Sequence, residues 1–159
     1  MTAPAELLEE AYHLTKSSFV RYVIECSEPD VRDDFDRRAF ALLEDWAREC
    51  RYSQMALGDA LAELDRVPAS SSFPIEFGQF NYLSPGYLLR SLLERSTAEL
   101  GRLQEIAGEL QGSRREQDLI NAVASRQKYY LDRAGKLEQE LAIEAPKPAK
   151  IKGTSASRW

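Results

Sequence analysis

The chain has 159 residues, 43% apolar and 30% charged, with a formal net charge of −5. This length suits one domain with its own hydrophobic core, and no apolar run approaches the ~20 residues that cross a bilayer. Acidic residues near the start, where a secretory signal needs a basic and then an apolar segment, predict a cytoplasmic protein with no membrane role. Cys26 and Cys50 have no CxxC spacing and are expected to be buried free thiols.

Four segments carry apolar residues at helical spacing, and none alternates cleanly as a strand would. The first helix is predicted over residues 5–27, because Pro29 shortly afterwards cannot continue the hydrogen-bond ladder. The second is predicted over residues 33–65, with Asp33 and Asp34 at the positive end of its dipole.

The third helix follows a break of about twenty residues. Ser84 and Pro85 suit its N-cap and first position, and Gly112 stops it. The fourth helix is predicted over residues 114–143. The break is unusually apolar, so we expect it to pack along the helices as a strap or, alternatively, to form part of a subunit contact; its apolar residues are Phe73, Ile75, Phe77, Phe80, Tyr82 and Leu83.

These patterns predict an all-α fold, an antiparallel four-helix bundle. Short connections join helices one to two and three to four, whereas the long connection between helices two and three can return along the molecule. A bundle with one long crossover is the ferritin-like arrangement. The predicted domain covers residues 1–144, and residues 145–159 are predicted to be a disordered basic tail.

Residues 9–13, EEAYH, place Glu10 and His13 three apart, as in the ExxH pair of carboxylate-bridged iron proteins. His13 is the single histidine of the chain. Ala11 and Thr15 belong to the core stripe, so at 100° per residue His13 lies about 160° away and faces outward. A solvated pair is therefore expected, and the alternative is a metal contact at the surface or between subunits.

The segments LLEEAYHLTKSSFVRYVIE and ARECRYSQMALGDALAELDRVP, with the phasing of helices three and four, resemble the rubrerythrin/bacterioferritin-type branch of the ferritin-like superfamily. The resemblance covers residues 5–142. Working members of that family bind two irons through a glutamate on helix one, ExxH on helix two, a glutamate on helix three and ExxH on helix four. The resemblance therefore implies the positions at which a di-iron site would lie.

In the first two helices, the chain keeps one of the ligands that the resemblance implies. Counting back two turns from Tyr22 places Thr15 where the family has its helix-one glutamate. The family's ExxHAQ is similar to ECRYSQ, in which Glu49 keeps the glutamate position and Tyr52 replaces the histidine.

In the last two helices, the chain has no iron ligand at the positions that the resemblance implies. The matching position of helix three lies near Ser96, with Glu99 one turn away, and SRQKYY puts Arg126 and Tyr129 where helix four should have ExxH. Iron or manganese centres of this type need several carboxylates and imidazoles in one cavity. We therefore predict no di-iron site and no cofactor.

A central polar layer is predicted in place of the metal site. Glu49 is expected to face Arg126, since a buried carboxylate and guanidinium are tolerable only when paired. The side chains predicted to satisfy this pair are Thr15, Tyr52, Ser96, Tyr129 and Tyr130. The stripes of helices two and four pass through Cys50 beside Glu49 and through Gln127 beside Arg126.

Two functional hypotheses remain. The first is a non-catalytic ferritin-like bundle that serves as a self-association or partner-binding module, as a homodimer or larger homo-oligomer. The alternative is a metal-dependent or redox oxidase with unusual ligands, namely Glu10, His13 and Glu49 across a subunit interface. Nucleic acid is not an expected partner, because the chain without its +4 tail carries −9.

The tail itself is a candidate protein-docking segment. Residues 149–159 read AKIKGTSASRW, a spacer and basic segment ending in Arg158 and Trp159. Tryptophan is a frequent interface anchor, and arginine can add a charge-assisted contact. The alternatives are a solubilising end and a segment that folds back onto the acidic body.

Overall fold

The protein is all-helical in the computed structural model, which describes residues 2–144 and contains no strand in that range. The helices are α1 Pro4–Lys16, α2 Phe19–Glu25, α3 Asp34–Glu63, α4 Pro85–Glu109 and α5 Arg114–Glu144, and a 3-10 helix at Ile75–Phe80 precedes α4. The all-α prediction is confirmed. No helix among these residues is both long and apolar enough to span a membrane. Arg158 and Trp159 lie outside the described residues.

The starts of the two central helices follow their capping residues. Asp33 accepts a hydrogen bond from the Asp36 amide at 2.8 Å, and Ser84 accepts one from the Tyr87 amide at 3.3 Å with Pro85 in the first turn of α4. Side-chain oxygens of this kind satisfy amides that have no partner within the helix. Gly112 follows α4 with φ = 94°, a backbone conformation that favours glycine.

The first predicted helix is in fact two helices. α1 ends at Lys16, Ser18 is extended, and α2 begins at Phe19. Serine hydroxyls compete with the backbone for hydrogen bonds and weaken a helix interior. The Phe19 amide, which the break leaves without an intrahelical acceptor, instead donates to Oε1 of Glu99 on α4 at 3.2 Å.

Buried apolar side chains form two clusters along the length of the helices. One contains Phe19, Leu43, Trp46 and Leu89, and the other contains Leu8, Leu57, Leu103 and Ile120. Buried polar residues separate the clusters on each long helix, because Ser53 lies between Cys50 and Leu57, Ser96 between Leu92 and Leu100, and Gln127 between Ala124 and Ala134.

The connection between α3 and α4 packs against the first of these clusters through part of its apolar set. The Phe77 ring is buried and meets Phe19 edge-on at 5.1 Å, while Phe73, Phe80 and Leu83 are partly buried on the same cluster. Ile75 is 95% exposed and Tyr82 66% exposed, so these two side chains do not pack as expected.

The two cysteines differ in burial. Cys50 is buried, as predicted, but Cys26 is exposed, which contradicts the prediction. Cys26 is the C-cap of α2, one position beyond the last helical residue.

Candidate functional site

The polar layer between the two apolar clusters is the candidate interior site. Thr15, Ser18, Ser53, Ser96 and Gln127 are buried there, and Glu99 is partly buried. Of these residues, Thr15 and Ser96 are the two that the sequence predicts in the central polar layer. The remaining members could have been found from the same signal, since each is a polar residue on an otherwise apolar helical stripe.

Glu99 is the one carboxylic acid that lines the interior cavity. Burial raises its pKa from the ordinary value of 4.5 to about 7, against the opposing effects of the Phe19 amide hydrogen bond and the Arg95 charge. Arg95 itself lies over the rings of Phe19, Phe77 and Phe80 at 5.2–5.3 Å from their centroids. Burial therefore favours the protonated form of Glu99 more than that of an exposed carboxyl group.

Gln127 connects α3 and α5 through two buried hydrogen bonds. Trp46 Nε1 donates to its Oε1 at 2.6 Å, and its Nε2 donates to Cys50 Sγ at 3.3 Å. Burial raises the pKa of the Cys50 thiol to about 11, although the hydrogen bond from Gln127 opposes this effect. Because the thiolate is the reactive form, burial makes Cys50 a poor nucleophile.

The cavity at this level is very small. Its volume is about 10 Å³, and its lining consists of Leu14, Thr15, Ser18, Cys50, Glu99, Leu103 and Gln127. Among the described residues, the hydroxyls of Ser18, Ser53 and Ser96 are buried without a hydrogen-bond partner. A space of this size and polarity suits at most one water molecule. It does not fit two metal ions, which need several carboxylates and imidazoles.

The three candidate metal ligands do not form a group within one chain. Glu10 forms an ion pair with Arg102, and His13 lies 2.9 Å from Ser71 Oγ through Nδ1 and 3.6 Å from Glu9 through Nε2. No cluster of three or more histidine, cysteine or acidic side chains that could hold a metal occurs within residues 2–144. His13 is half-buried, because the α3–α4 connection covers it.

The predicted pairing of Glu49 with Arg126 in the core is wrong. Arg126 is exposed, as are Tyr52 at 58% and Tyr129 at 53%, while Glu49 and Tyr130 are only partly buried. A neutral neighbour of each charged residue points inward instead, Cys50 beside Glu49 on α3 and Gln127 beside Arg126 on α5. The physical reason is the cost of burying a charge, which these neutral neighbours avoid.

Glu49, Tyr52, Arg126 and Tyr129 lie on one surface between α3 and α5, here called the α3–α5 face. One groove of about 420 Å³ on this face includes Asp45, Arg133 and Lys136 in its lining, and a second of about 440 Å³ includes Asp59, Glu63 and Arg115. Residues spaced by three, four or seven share a helix face, so Glu49 and Tyr52 lie between the grooves on α3, and Arg126 and Tyr129 lie between them on α5.

The α3–α5 face has an aromatic centre. Trp46 and Tyr130 stack with ring centroids 6.0 Å apart, and Tyr129 meets Tyr130 edge-on at 5.1 Å. Arg133 donates to the Tyr129 hydroxyl at 2.9 Å and lies over its ring at 5.5 Å. Tyrosine and arginine are the residue types that protein interfaces favour.

Comparisons with family models, curated proteins and solved structures found no match for this chain. The fold places the described part of the chain in the class of all-α proteins.

Proposed function

We propose that the chain is a ferritin-like four-helix bundle without a di-iron centre, and that it serves as a non-catalytic module for self-association or partner binding. In this arrangement α1 and α2 together form the first helix of the bundle, and α3, α4 and α5 form the other three. The interior carries the proposal, because a cavity of about 10 Å³ with one carboxylic acid does not suit a metal centre.

Two ion pairs between the first two bundle helices support this topology. Glu9 on α1 pairs with Arg66 just after α3, whereas Glu25 at the end of α2 pairs with Arg51 in the middle of α3. These contacts are those of two helices that run in opposite directions.

Contacts of α4 support the long crossover. Arg90 and the Ala107 carbonyl on α4 contact Glu138 and Gln117 of α5, respectively, as in an antiparallel pair. The start of α4 contacts the start of α3, because the Gly86 amide donates to Oδ1 of Asp36 at 2.9 Å. α3 and α4 then run in the same direction, which requires a connection that returns along the molecule.

Metal titration tests the proposal directly. The purified protein, stripped with a chelator and then incubated with excess Fe²⁺ or Mn²⁺, is expected to retain no stoichiometric metal and to melt at an unchanged temperature. Ligands that bind only the native state raise the melting temperature, so a site with useful affinity would be detected.

The rival oxidase hypothesis predicts the opposite result. Two metal ions per chain, together with a rise in melting temperature that is lost in Glu49→Gln or His13→Ala, would overturn the proposal. Glu44→Gln, an exposed carboxylate on the same helix as Glu49, is the matched control. Sedimentation of the same samples shows whether the chain associates with itself.

A further inference from the structure

We infer that a second copy of this chain docks on the α3–α5 face, with α3 of each copy against α5 of the other. This inference rests on the proposed self-association and adds its surface and geometry. It is carried by the distribution of charge across the face and by the register of the two helices.

The two helices bring opposite charges to the face. The ion pairs Arg38–Glu140 and Arg115–Glu63 close its two ends within one chain. Between these ends α3 carries three acids, Asp45, Glu49 and Asp59, and one base, Arg48. α5 carries three bases, Arg126, Arg133 and Lys136, and two acids, Glu116 and Asp118 near its start, so α3 is net acidic and α5 net basic. Asp45 contacts Arg48 at 3.2 Å and Asp118 contacts Arg114 at 4.0 Å, each on its own helix, and no ion pair across the face joins the residues between its ends in the described part of the chain.

Charge selects one of the two simple symmetric arrangements. Homodimers are usually two-fold symmetric, so the same patch faces itself. A two-fold axis parallel to the helices sets the acidic α3 over the basic α5 of the second copy, twice. An axis across the helices instead sets α3 over α3 and α5 over α5, and such like-charge contacts are unfavourable.

The register of α3 and α5 then pairs particular residues. Within one chain Arg38 lies level with Glu140, Trp46 with Gln127 and Glu63 with Arg115. Glu49 is therefore level with Arg126 to within about one helical turn. Rotation about an axis parallel to the helices keeps residues at their level, so Glu49 of each copy meets Arg126 of the other.

The extent and the centre of the face are sufficient for a stable dimer. About 26 residues of each helix, at 1.5 Å per residue and a helix diameter of ~10 Å, cover roughly 800 Å² per copy. Specific interfaces bury about this area on each partner. Tyr52 and Tyr129 stand exposed at the middle of the face, where anchoring residues of an interface lie.

Charge reversal provides the test, with mass measured by sedimentation velocity over protein concentrations up to ~100 μM, where a dimer of modest affinity still forms. We expect the wild-type chain to reach twice its 18.0 kDa. Glu49→Arg and Arg126→Glu should each weaken the dimer by at least ~10-fold, because two like-charge contacts replace two favourable ones. Mixing the two variants should restore a dimer that contains one copy of each, since both contacts then have opposite charges.

Glu94→Arg on α4 and Lys128→Glu on α5, exposed residues away from this face, are the matched controls and should leave the mass unchanged. Circular dichroism checks that each variant is folded.

A wild-type chain that stays monomeric overturns the inference. The α3–α5 face would then be a candidate site for a different protein or for residues 145–159, and the proposal of a metal-free bundle would be unaffected. A dimer that both reversals leave intact also overturns it, since another surface must then associate. Two bound irons per chain would instead overturn the proposed function.

Discussion

Glu99 on α4 caps the start of α2, since its Oε1 accepts a hydrogen bond from the Phe19 amide at 3.2 Å. The break between α1 and α2 exposes this amide, and the carboxyl group of a distant helix satisfies it. The same group sits in the small polar cavity, where burial raises its pKa to about 7. The hydrogen bond between Phe19 and Glu99 therefore links the interruption of the first helix to the partly buried carboxyl group on α4.

Replacing Glu99 by glutamine should change how stability depends on pH. The folded-state pKa of Glu99 lies above its unfolded value of 4.5, so the folded protein binds a proton that the unfolded chain releases. The stabilising contribution of this proton is complete below pH 4.5 and is lost as pH rises to about 7. Glu99→Gln, which stays neutral and can still accept from Phe19, should match wild type at pH 4 and be more stable by about 3 kcal/mol at pH 8.

Urea unfolding of both proteins between pH 4 and 8 measures this difference. Cys50, with a pKa of about 11, does not titrate in this interval. Glu94→Gln, an exposed carboxylate on α4, should show no such trend. A difference between Glu99→Gln and wild type that is the same at every pH would contradict the prediction.

Gln127→Leu should destabilise the protein by about 1–3 kcal/mol, because the buried Trp46 N–H loses its acceptor. Trp46→Phe removes the same donor. If the hydrogen bond is the cause, the double variant should lose less stability than the two single variants together. Strictly additive losses, measured by urea unfolding, would show that the two side chains act independently.

Gly86→Ala should weaken the contact between the starts of α3 and α4. A Cβ atom at this position would lie 2.8 Å from Asp36 Oδ1 and 3.0 Å from the Phe35 ring. Asp36 is buried and accepts from the amides of Gly86 and Arg32, so it cannot move without loss. We expect a loss of about 1–3 kcal/mol, as for overpacking elsewhere.

Gly101→Ala is the matched control for Gly86→Ala. It lies inside the same helix, and its Cβ would meet no atom within 4 Å. Alanine is the better helix former, so this variant should gain about 0.5–1 kcal/mol. Thermal unfolding compares the two, and equal effects would mean that helix propensity rather than the Asp36 contact decides the outcome.

Phe77→Ala should loosen the connection between α3 and α4. The ring is buried against Phe19 and lies 5.2 Å from the Arg95 guanidinium, and removing a buried phenylalanine costs about 3–5 kcal/mol. Limited proteolysis should then cut within residues 64–84 earlier than in wild type. Ile75→Ala, two residues away and 95% exposed, should change stability by no more than ~0.5 kcal/mol. Equal cleavage of both variants would mean that Phe77 does not hold this segment.

The sequence by itself determined where most helices start and which of their residues form the inward stripe. Asp33, Ser84 and Pro85 mark the starts of α3 and α4, because capping is a local interaction between neighbouring residues. Apolar spacing also placed the polar residues Thr15 and Ser96 on the inward stripes of their helices, since periodicity reports which residues share a face.

Only the tertiary structure decided which of two adjacent residues points inward. Neighbours on a helix differ by 100° in direction, so the stripe admitted Glu49 or Cys50 and Arg126 or Gln127, and burial selected the neutral member of each pair. It also decided that Ser17 and Ser18 interrupt the first helix, because the acceptor for the Phe19 amide comes from Glu99, eighty residues later. Contacts between distant residues leave no periodic signal in one sequence, whereas the free energy of burying a charge acts only once the helices have packed.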